Sequence, residues 1–326
     1  MGPRLIAAIA ALTAAVGLAT WGVVVALTSG GSPAASSLHS PGIGQNRSAA
    51  SSTPVASPTA SASPSPSVGS ANGAIPGVIQ PHGAPEFSAT FSGSTLDRSV
   101  WGTCYPYSSN PAGCTNFGNS AIEDEWYMPS QVQVRNGTLN LIAQREPTAG
   151  SSSNGSPRTY PCRSGMVTSY PGFQFQYGYI QVVANIPSGQ GLWPALWLAA
   201  ANLHWPPEMD MLEAWGSGRT FDGAPYAAMY FHYSTPTSNN TYIKAIVSPA
   251  SLAIGWHTFA LSWTPTQVTW LVDGRPFMTT TQNIPQQKMY LIANLAEAVN
   301  AAAHPNVLPG ECNGDLQIRS VTVWAP

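Results

Sequence analysis

The sequence predicts an all-β fold in which two antiparallel sheets stack as a sandwich. Between residue 85 and the C-terminus helical periodicity is scarce, whereas alternation of apolar and polar residues is common. Two dipeptides, Asn136-Gly137 and Asp273-Gly274, lie between such segments and favour tight hairpin turns. Many strands joined by turns, without intervening helices, are typical of a β-sandwich.

Five segments have the alternation, or the β-branched and aromatic composition, of strands. In chain order they are residues 132–142, 173–183, 256–263, 267–274 and 316–324. The first contains the Asn-Gly turn and the fourth ends on the Asp-Gly turn, so both are expected to belong to hairpins.

The N-terminal sequence predicts export. An uncharged stretch runs from Leu5 to Leu27, and as a helix it would be about 34 Å long at ~1.5 Å per residue, enough to cross a bilayer. Residues 1–28 are therefore interpreted as a signal peptide or an N-terminal membrane anchor, and both alternatives stay open. The protein is expected to be secreted or extracellular, or anchored to a membrane.

A spacer and one folded domain follow the export segment. Residues 29–84 are rich in Ser, Pro, Ala and Thr and cannot bury enough apolar area to fold, so a disordered linker is predicted. Residues 85–326 contain no low-complexity break and have an ordinary size for a single all-β domain. We interpret them as a catalytic domain and expect a monomer.

The low charge content argues against a nucleic-acid partner, and the cysteine count predicts disulfides. Only 8% of the residues are charged and the formal net charge is -2, whereas nucleic-acid binding needs a basic face, so no nucleic-acid partner is expected. The even number of cysteines favours two disulfides in an exported protein. Pairing Cys104 with Cys114 leaves Cys162 with Cys312, but the sequence alone leaves three connectivities open.

The most informative local feature is a cluster of three acids within six positions, Glu208, Asp210 and Glu213, in a chain with only 14 Asp plus Glu. Their neighbours are apolar or aromatic, and both crowding and desolvation favour the protonated form of a carboxyl group. Cleavage of a glycosidic bond needs one carboxyl kept protonated beside one kept ionised. The cluster is therefore predicted to be the active site of an enzyme that cleaves sugars.

The spacing of the three acids predicts an irregular strand. Alternate residues of a strand share a face, so Glu208 and Asp210 point the same way and Glu213 has the opposite parity. One extra residue, a β-bulge near Met211–Leu212, would return Glu213 to the face of the other two. The alternative is that Glu213 points away and only two acids act.

The bulged pattern Glu-x-Asp-x-x-Glu resembles the signature of glycoside hydrolase family 16, which includes laminarinases, lichenases, agarases and carrageenases. The resemblance runs from about Phe87 to the C-terminus. Other motifs follow in the expected order: Leu96–Trp101, Glu125–Tyr127, Asn136–Leu139, Gly191–Trp197, Trp256–Phe259 and Val272–Gly274.

This resemblance implies a fold and a mechanism. The fold would be a concanavalin-A-like jelly roll, a β-sandwich of two curved antiparallel sheets with a concave substrate cleft. Cleavage would retain the anomeric configuration through a covalent intermediate. Glu208 would be the nucleophile, Glu213 the general acid/base, and Asp210 would modulate the charge of both.

Aromatic side chains and one histidine are predicted to bind the polysaccharide. Trp193 and Trp197 are four residues apart on one strand face, where the family stacks rings on sugars, and the alternative for both is a place in the core. His232 matches a family histidine on the neighbouring strand and is expected to hydrogen-bond Asp210 or a substrate hydroxyl. Trp215 and Tyr230 are further candidates for the cleft.

Two departures from the family pattern concern the cleft and a metal. Residues 294–299 read Asn-Leu-Ala-Glu-Ala-Val, where many members have Val-Gly-Gly after Asn-Leu-Ala, in a loop that borders the cleft. The position that supplies a calcium-binding Asp in many members aligns with Arg319, and Asp315 is displaced from it. No cofactor and no catalytic metal are expected, and a structural calcium is left open.

The expected substrate is a β-1,3- or β-1,3-1,4-glucan that is cut internally. A cleft of tryptophans and neutral polar groups, without a basic patch, suits a neutral polysaccharide better than a sulfated one. The alternatives are an agarose-type galactan hydrolase, a transglycosylase on the same fold and a non-catalytic glucan-binding protein. The presence of all three acids argues against the last of these.

Overall fold

The structure is a computed structural model, and it describes residues 76–106, 116, 122–152, 155–219, 225–247, 252, 254–298 and 311–326. The predicted export segment, most of the predicted linker, and Cys114 lie outside the described residues. Among the described residues, no helix is long and apolar enough to span a bilayer.

The described residues form β-strands and one 3₁₀ turn, Pro129–Gln131, and the predicted all-β class is confirmed. The strands are β1 (Phe87–Thr90), β2 (Glu125–Tyr127), β3 (Val132–Arg135), β4 (Thr138–Gln144), β5 (Thr148–Ser151), β6 (Pro157–Tyr160), β7 (Cys162–Ser164), β8 (Met166–Thr168), β9 (Gly178–Asn185), β10 (Leu192–Ala200), β11 (Glu208–Arg219), β12 (Pro225–Thr235), β13 (Ser238–Val247), β14 (Trp256–Trp263), β15 (Val268–Val272), β16 (Arg275–Thr280), β17 (Met289–Glu297) and β18 (Asn313–Trp324).

Two large sheets carry the architecture. Among the described residues, ten strands form one sheet along the order β16-β15-β14-β9-β18-β4-β7-β2, with β1 paired to β18 and β3 to β4. Six strands form the other, in the order β13-β12-β11-β10-β17-β8. All pairs are antiparallel except β2 with β7. The acid-bearing strand β11 lies inside the six-stranded sheet, between β10 and β12, so both of its edges are hydrogen-bonded.

Both predicted hairpin turns are confirmed. Asn136 and Gly137 have φ of 54° and 76°, and they join β3 to β4. Asp273 and Gly274 have φ of 48° and 73°, and they join β15 to β16. Positive φ at both central residues defines the turn whose twist matches that of paired strands, and Asn-Gly and Asp-Gly adopt it at low cost.

The predicted strand over residues 173–183 is wrong in its first part. β9 begins at Gly178 because Tyr177 and Gly178 have φ of 63° and 125°, outside the extended region. The alternation of Phe173, Phe175 and Tyr177 instead reflects a ring stack against the core, in which the Phe173 and Phe175 centroids are 5.8 Å apart.

One continuous apolar core fills the space between the two sheets. Leu196, Met209 and Phe231 reach it from the six-stranded sheet, and all three are fully buried. Val182, Leu261 and Ile318 meet them from the ten-stranded sheet. The side chains that alternate with these therefore lie on the outer face of each sheet.

A hydrogen bond also crosses this core. The indole Nε1 of Trp270 in β15 donates to the backbone carbonyl of Asp210 in β11, at 3.0 Å, and Trp270 is fully buried. A buried carbonyl needs a partner. The bond fixes the distance between the acid-bearing strand and the opposite sheet.

The chain enters the domain along the outer face of the ten-stranded sheet. Val78 and Ile79 pack against Tyr179, Ala260 and Leu271, which alternate with core residues in β9, β14 and β15. The Ile79 amide donates to Ser262 Oγ at 2.8 Å. Contact with the domain therefore begins before residue 85, the start predicted from composition.

A disulfide connects Cys162 in β7 to Cys312, which directly precedes β18. Their Cα atoms are 5.7 Å apart, and they are separated by 150 residues along the chain. This pairing is one of the connectivities that the sequence left open.

We expect the double substitution Cys162→Ser/Cys312→Ser to lower the free energy of unfolding by about 2–5 kcal/mol, because a bridge across so long a loop restricts the unfolded chain. Urea unfolding followed by tryptophan fluorescence measures the change. The matched control is Cys104→Ser/Cys114→Ser, whose two positions lie close in sequence and should cost less. An unfolding midpoint unchanged in the first variant contradicts the expectation.

Candidate active site

The predicted β-bulge is present in β11. In the pairing with β12, Asp210 lies opposite Tyr230 and Glu213 opposite Ala228, so three steps along β11 match two along β12. The adjacent residues Met211 and Leu212 both belong to the core, as expected where one residue is inserted. Glu213 therefore returns to the outer face that Glu208 and Asp210 occupy.

Glu208 is oriented by two neighbours. The indole Nε1 of Trp205 donates to its Oε2 at 3.0 Å, and His232 Nε2 lies 3.8 Å from its Oε1. Burial raises the pKa of Glu208 above its usual value, and His232 and the hydrogen bond from Trp205 oppose this shift without cancelling it. Its surroundings thus supply two groups that favour the ionised form.

Asp210 lies between the two glutamates and has the least favourable place for a charge. It is 2% exposed, and its Oδ2 is buried without a hydrogen-bond partner among the described residues. Burial, followed by the charges of Glu208 and Glu213, raises its pKa well above the usual range. The charged form of Asp210 is therefore disfavoured.

Glu213 accepts one hydrogen bond, from Nε1 of Trp193 at 3.1 Å. Burial, and then the charge of Glu208, raise its pKa to about 8, and the bond from Trp193 opposes the shift. Glu123 contributes a further upward shift from outside the strand. Glu208 and Glu213 therefore have different hydrogen-bond and charge partners, although they lie on one strand.

His232 faces the acids from β12, where it pairs with Glu208 across the strands. Its Nε2 lies 3.7 Å from Asp210 Oδ2, and its Nδ1 lies 3.2 Å from Asn240 Oδ1. Tyr230 stacks beside it at 5.8 Å between ring centroids. The expected contact with Asp210 is thus a close approach, longer than a hydrogen bond.

The predicted aromatic residues divide into two groups around the acids. Trp193, Trp215 and Tyr230 form a small cluster on the outer face, and the Trp193 and Trp215 rings are 5.4 Å apart. Trp193 and Tyr230 are 7% and 8% exposed, so only a small part of each ring is open to a sugar. Trp215 is 1% exposed and has no free ring face, and we reassign it as support for Trp193. Trp197 lies near Tyr105 and donates from Nε1 to Asn294 Oδ1 at 2.8 Å.

Sequence reasoning gave no role to three residues that orient the site. They are Trp205, Asn240 and Asn294, which bond Glu208, His232 and Trp197. Trp205 directly precedes the acid cluster, so proximity in sequence was an available signal. Asn240 and Asn294 meet their partners only through strand pairing or across the sheet, and nothing in the local sequence indicates these contacts.

A second group of buried carboxyls lies at the end of β17. Glu125 and Glu297 are 0% and 1% exposed, and Glu125 Oε2 accepts from the amide of Glu297 at 2.7 Å. Glu297 Oε1 accepts from the Cys312 amide at 3.1 Å. Burial raises the pKa of Glu297 to about 7 and that of Glu125 well above its usual range.

The chain matches the family model described as Glycosyl hydrolases family 16 over residues 122–309, more than half of its length. The chain belongs to glycosyl hydrolase family 16. The match includes the acid cluster and the bulge, and the resemblance stated from the motifs is confirmed.

Curated relatives agree with this family assignment. The chain is 32% identical over 184 residues to endo-1,3-1,4-beta-glycanase ExsH of Rhizobium meliloti, covering 53% of this chain and 37% of that protein. It is 27% identical over 256 residues to a glucan endo-1,3-beta-glucosidase of Niallia circulans, covering 72% of this chain and 36% of that protein. The chain thus spans less than half the length of these relatives.

Solved structures confirm the jelly-roll fold. The laminarinase catalytic domain of Thermotoga maritima superposes with a TM-score of 0.57 at 22% identity, covering 74% of this chain and 98% of that one. The endo-beta-1,3-glucanase of Pyrococcus furiosus gives 0.58 at 20% identity, with 77% and 98% covered.

The residues at the position discussed for calcium have other contacts. The Arg319 guanidinium lies 4.1 Å from the centroid of the Trp256 ring. The Asp315 carboxylate pairs with Arg135 at 3.1 Å. The expectation that this protein needs no cofactor stays a prediction.

Raised carboxyl pKa values predict that the domain is less stable at alkaline pH. Such a group holds its proton in the folded state after the unfolded chain has lost it, so its contribution is complete below about pH 4.5 and declines as pH rises to the folded pKa. For Glu213, with a pKa of about 8, the decline extends from about pH 4.5 to 8. Each such proton contributes up to about 1.4 kcal/mol per pH unit.

Urea unfolding between pH 5 and 8.5 measures this dependence. Glu213→Gln should flatten the slope, whereas Glu86→Gln, at an exposed glutamate, should leave it as in the wild type. A slope that is the same in all three proteins is the contrary outcome.

Proposed function

We propose that the domain is an exported, endo-acting glycoside hydrolase that cleaves β-1,3- or β-1,3-1,4-glucan with retention of configuration. The observation that carries the proposal is the unequal surroundings of two carboxyls on one strand. Burial raises the pKa of both, but at Glu208 the shift is opposed by His232 and Trp205, whereas at Glu213 the charge of Glu208 adds to it and the pKa reaches about 8. A retaining glycosidase needs one ionised and one protonated carboxyl.

In the first step, the Glu208 carboxylate attacks the anomeric carbon and the bond from that carbon to the glycosidic oxygen breaks. Glu213, protonated at neutral pH, gives its proton to the departing oxygen. The product is a glycosyl ester on Glu208, and the leaving sugar departs with a hydroxyl group.

In the second step, Glu213 is ionised and takes a proton from a water molecule, which attacks the same carbon and releases Glu208. Glu213 is then protonated again for the next cycle. The raised pKa of Asp210 favours its protonated form, which limits the negative charge that crowds the two glutamates.

The substrate proposal is supported by the outer face and by the relatives. Trp193 and Tyr230 are near the acids, and Trp197 extends the aromatic surface along β10. Two relatives are named endo-1,3-1,4-beta-glycanases and a third is named a glucan endo-1,3-beta-glucosidase. A β-1,3-glucan-binding protein of Penaeus monodon is 29% identical over 168 residues, so binding without catalysis is the second candidate.

Export remains part of the proposal and is supported by residues 1–28. N-terminal sequencing of the protein isolated from its source separates a cleaved signal peptide from a retained anchor. An intact N-terminus on a cytosolic protein contradicts export.

Reducing-end release by the full chain on laminarin, barley mixed-linkage glucan, agarose and carrageenan tests the activity. We expect release from one or both glucans, and a loss of about 10,000-fold or more in Glu208→Ala with the fold retained. Glucan binding without release favours the second candidate. Release from agarose alone contradicts the substrate proposal, and wild-type turnover by the variant contradicts the role of Glu208.

Glu213→Ala tests the acid/base role. On a natural glucan we expect a loss of about 100- to 10,000-fold, because proton donation to the leaving oxygen is lost. A 2,4-dinitrophenyl glycoside needs no such donation, so its first step should persist, and azide should speed the second step by replacing activated water. An equal loss on both substrates without azide rescue contradicts this role.

A further inference from the structure

We propose that Glu208, Asp210 and His232 also form a transition-metal site that takes Zn²⁺, with Asn240 orienting the imidazole. Bound zinc would engage Glu208 and so inhibit hydrolysis. The inhibition rests on the proposed function, whereas the metal binding does not.

The three donor atoms already lie near the spacing that zinc requires. His232 Nε2 is 3.8 Å from Glu208 Oε1 and 3.7 Å from Asp210 Oδ2, and one ligand atom from each residue fits within 4.8 Å of the others. Ligands of a tetrahedral zinc, bound at about 2.0–2.2 Å, lie about 3.3–3.6 Å apart. The two distances to His232 would need to shorten by only a few tenths of an ångström, and the two carboxyl oxygens lie within 4.8 Å of each other.

Asn240 determines which ring nitrogen of His232 carries a hydrogen. Its Oδ1 lies 3.2 Å from Nδ1, and a carbonyl oxygen can only accept, so Nδ1 is the donor. Metal binding requires Nε2 without its proton, and its lone pair then faces the two carboxyls, whereas the effect of His232 on the pKa of Glu208 belongs to the protonated ring. Histidines that bind metals commonly donate their other N–H to an oxygen acceptor in this way.

Each of the two carboxyl groups has one oxygen near His232 Nε2. Asp210 Oδ2 is buried and has no hydrogen-bond partner among the described residues, and the residue is 2% exposed. Trp205 engages Oε2 of Glu208, which leaves Oε1 toward His232. A cation would satisfy the buried oxygen and neutralise the crowded acids together.

The donor set selects the class of metal. One imidazole nitrogen with two carboxylate oxygens, completed by a water molecule as the fourth ligand, suits Zn²⁺. Ca²⁺ takes six or more oxygen ligands and Mg²⁺ a near-octahedral oxygen shell, so neither fits a site of this kind. Zinc needs deprotonated ligands, so its binding would displace a proton from Asp210, and the bound ion would occupy the Glu208 oxygen that attacks the anomeric carbon.

Calorimetry with ZnCl₂ on the full chain, after chelator treatment and dialysis at pH 7, tests the site. We expect saturable binding that is weakened at least about 10- to 100-fold in His232→Gln, and no comparable binding of CaCl₂. The matched control is His257→Gln, because His257 also meets a carboxylate, Asp273 at 2.8 Å, in an exposed pair. Zinc binding in that variant should equal the wild type.

Two variants of Asn240 test the orienting contact. Asn240→Asp keeps an oxygen acceptor for Nδ1 and should retain zinc binding, whereas Asn240→Leu should weaken it by about 10- to 100-fold. Far-UV circular dichroism verifies that each variant is folded. Equal zinc affinity in both folded variants overturns the part assigned to Asn240.

Zinc inhibition of glucan hydrolysis gives an independent result. Inhibition relieved by EDTA, at the zinc concentration that saturates calorimetry, supports the proposal. Absence of zinc binding, or binding unchanged in His232→Gln, overturns it. If zinc binds as expected but no polysaccharide is cut, the metal site stands and the proposed function fails.

Discussion

A β-strand alternates its side chains between two faces, and the acid-bearing strand β11 breaks this rule once. The extra residue at Met211–Leu212 lets both of these side chains enter the core while Glu213 returns to the outer face. Without it, Glu213 would point among the apolar side chains between the sheets, where an unpaired carboxylate is very costly. The bulge thus brings Glu213, with its donor Trp193, to the face on which His232 and Trp205 already contact Glu208.

Crowding the acids has an electrostatic cost that the surrounding side chains reduce only in part. Single hydrogen bonds from Trp193 and Trp205 reach the two glutamates, and Asp210 Oδ2 has none from the described residues. The site consequently retains protons that isolated carboxyls would lose, and these protons supply the proposed acid. Glu125 and Glu297, which lie outside β11, are also buried carboxyls with raised pKa values.

The features that the sequence predicted are those set by neighbours along the chain. The two hairpin turns follow from dipeptides, and the bulge follows from strand parity together with the adjacent apolar pair Met211–Leu212. The features it missed or misjudged depend on distant partners. Asn294 meets Trp197 from 97 residues away. The burial of Trp215 depends on Trp193 and Tyr230, which belong to neighbouring strands, and no local pattern distinguishes such a ring from one that faces a sugar.

The hydrogen bond from Trp270 to the Asp210 carbonyl has a consequence for how this chain can change. It makes a residue of the far sheet part of what positions the acids, although its side chain lies on the opposite side of the strand from them. No other natural side chain combines the indole's volume with a donor at the same place, so substitution there leaves a buried carbonyl unpaired, at about 1–3 kcal/mol, or opens a void. Mutational tolerance at position 270 is therefore coupled to that of the acid strand, and the two sheets cannot diversify independently.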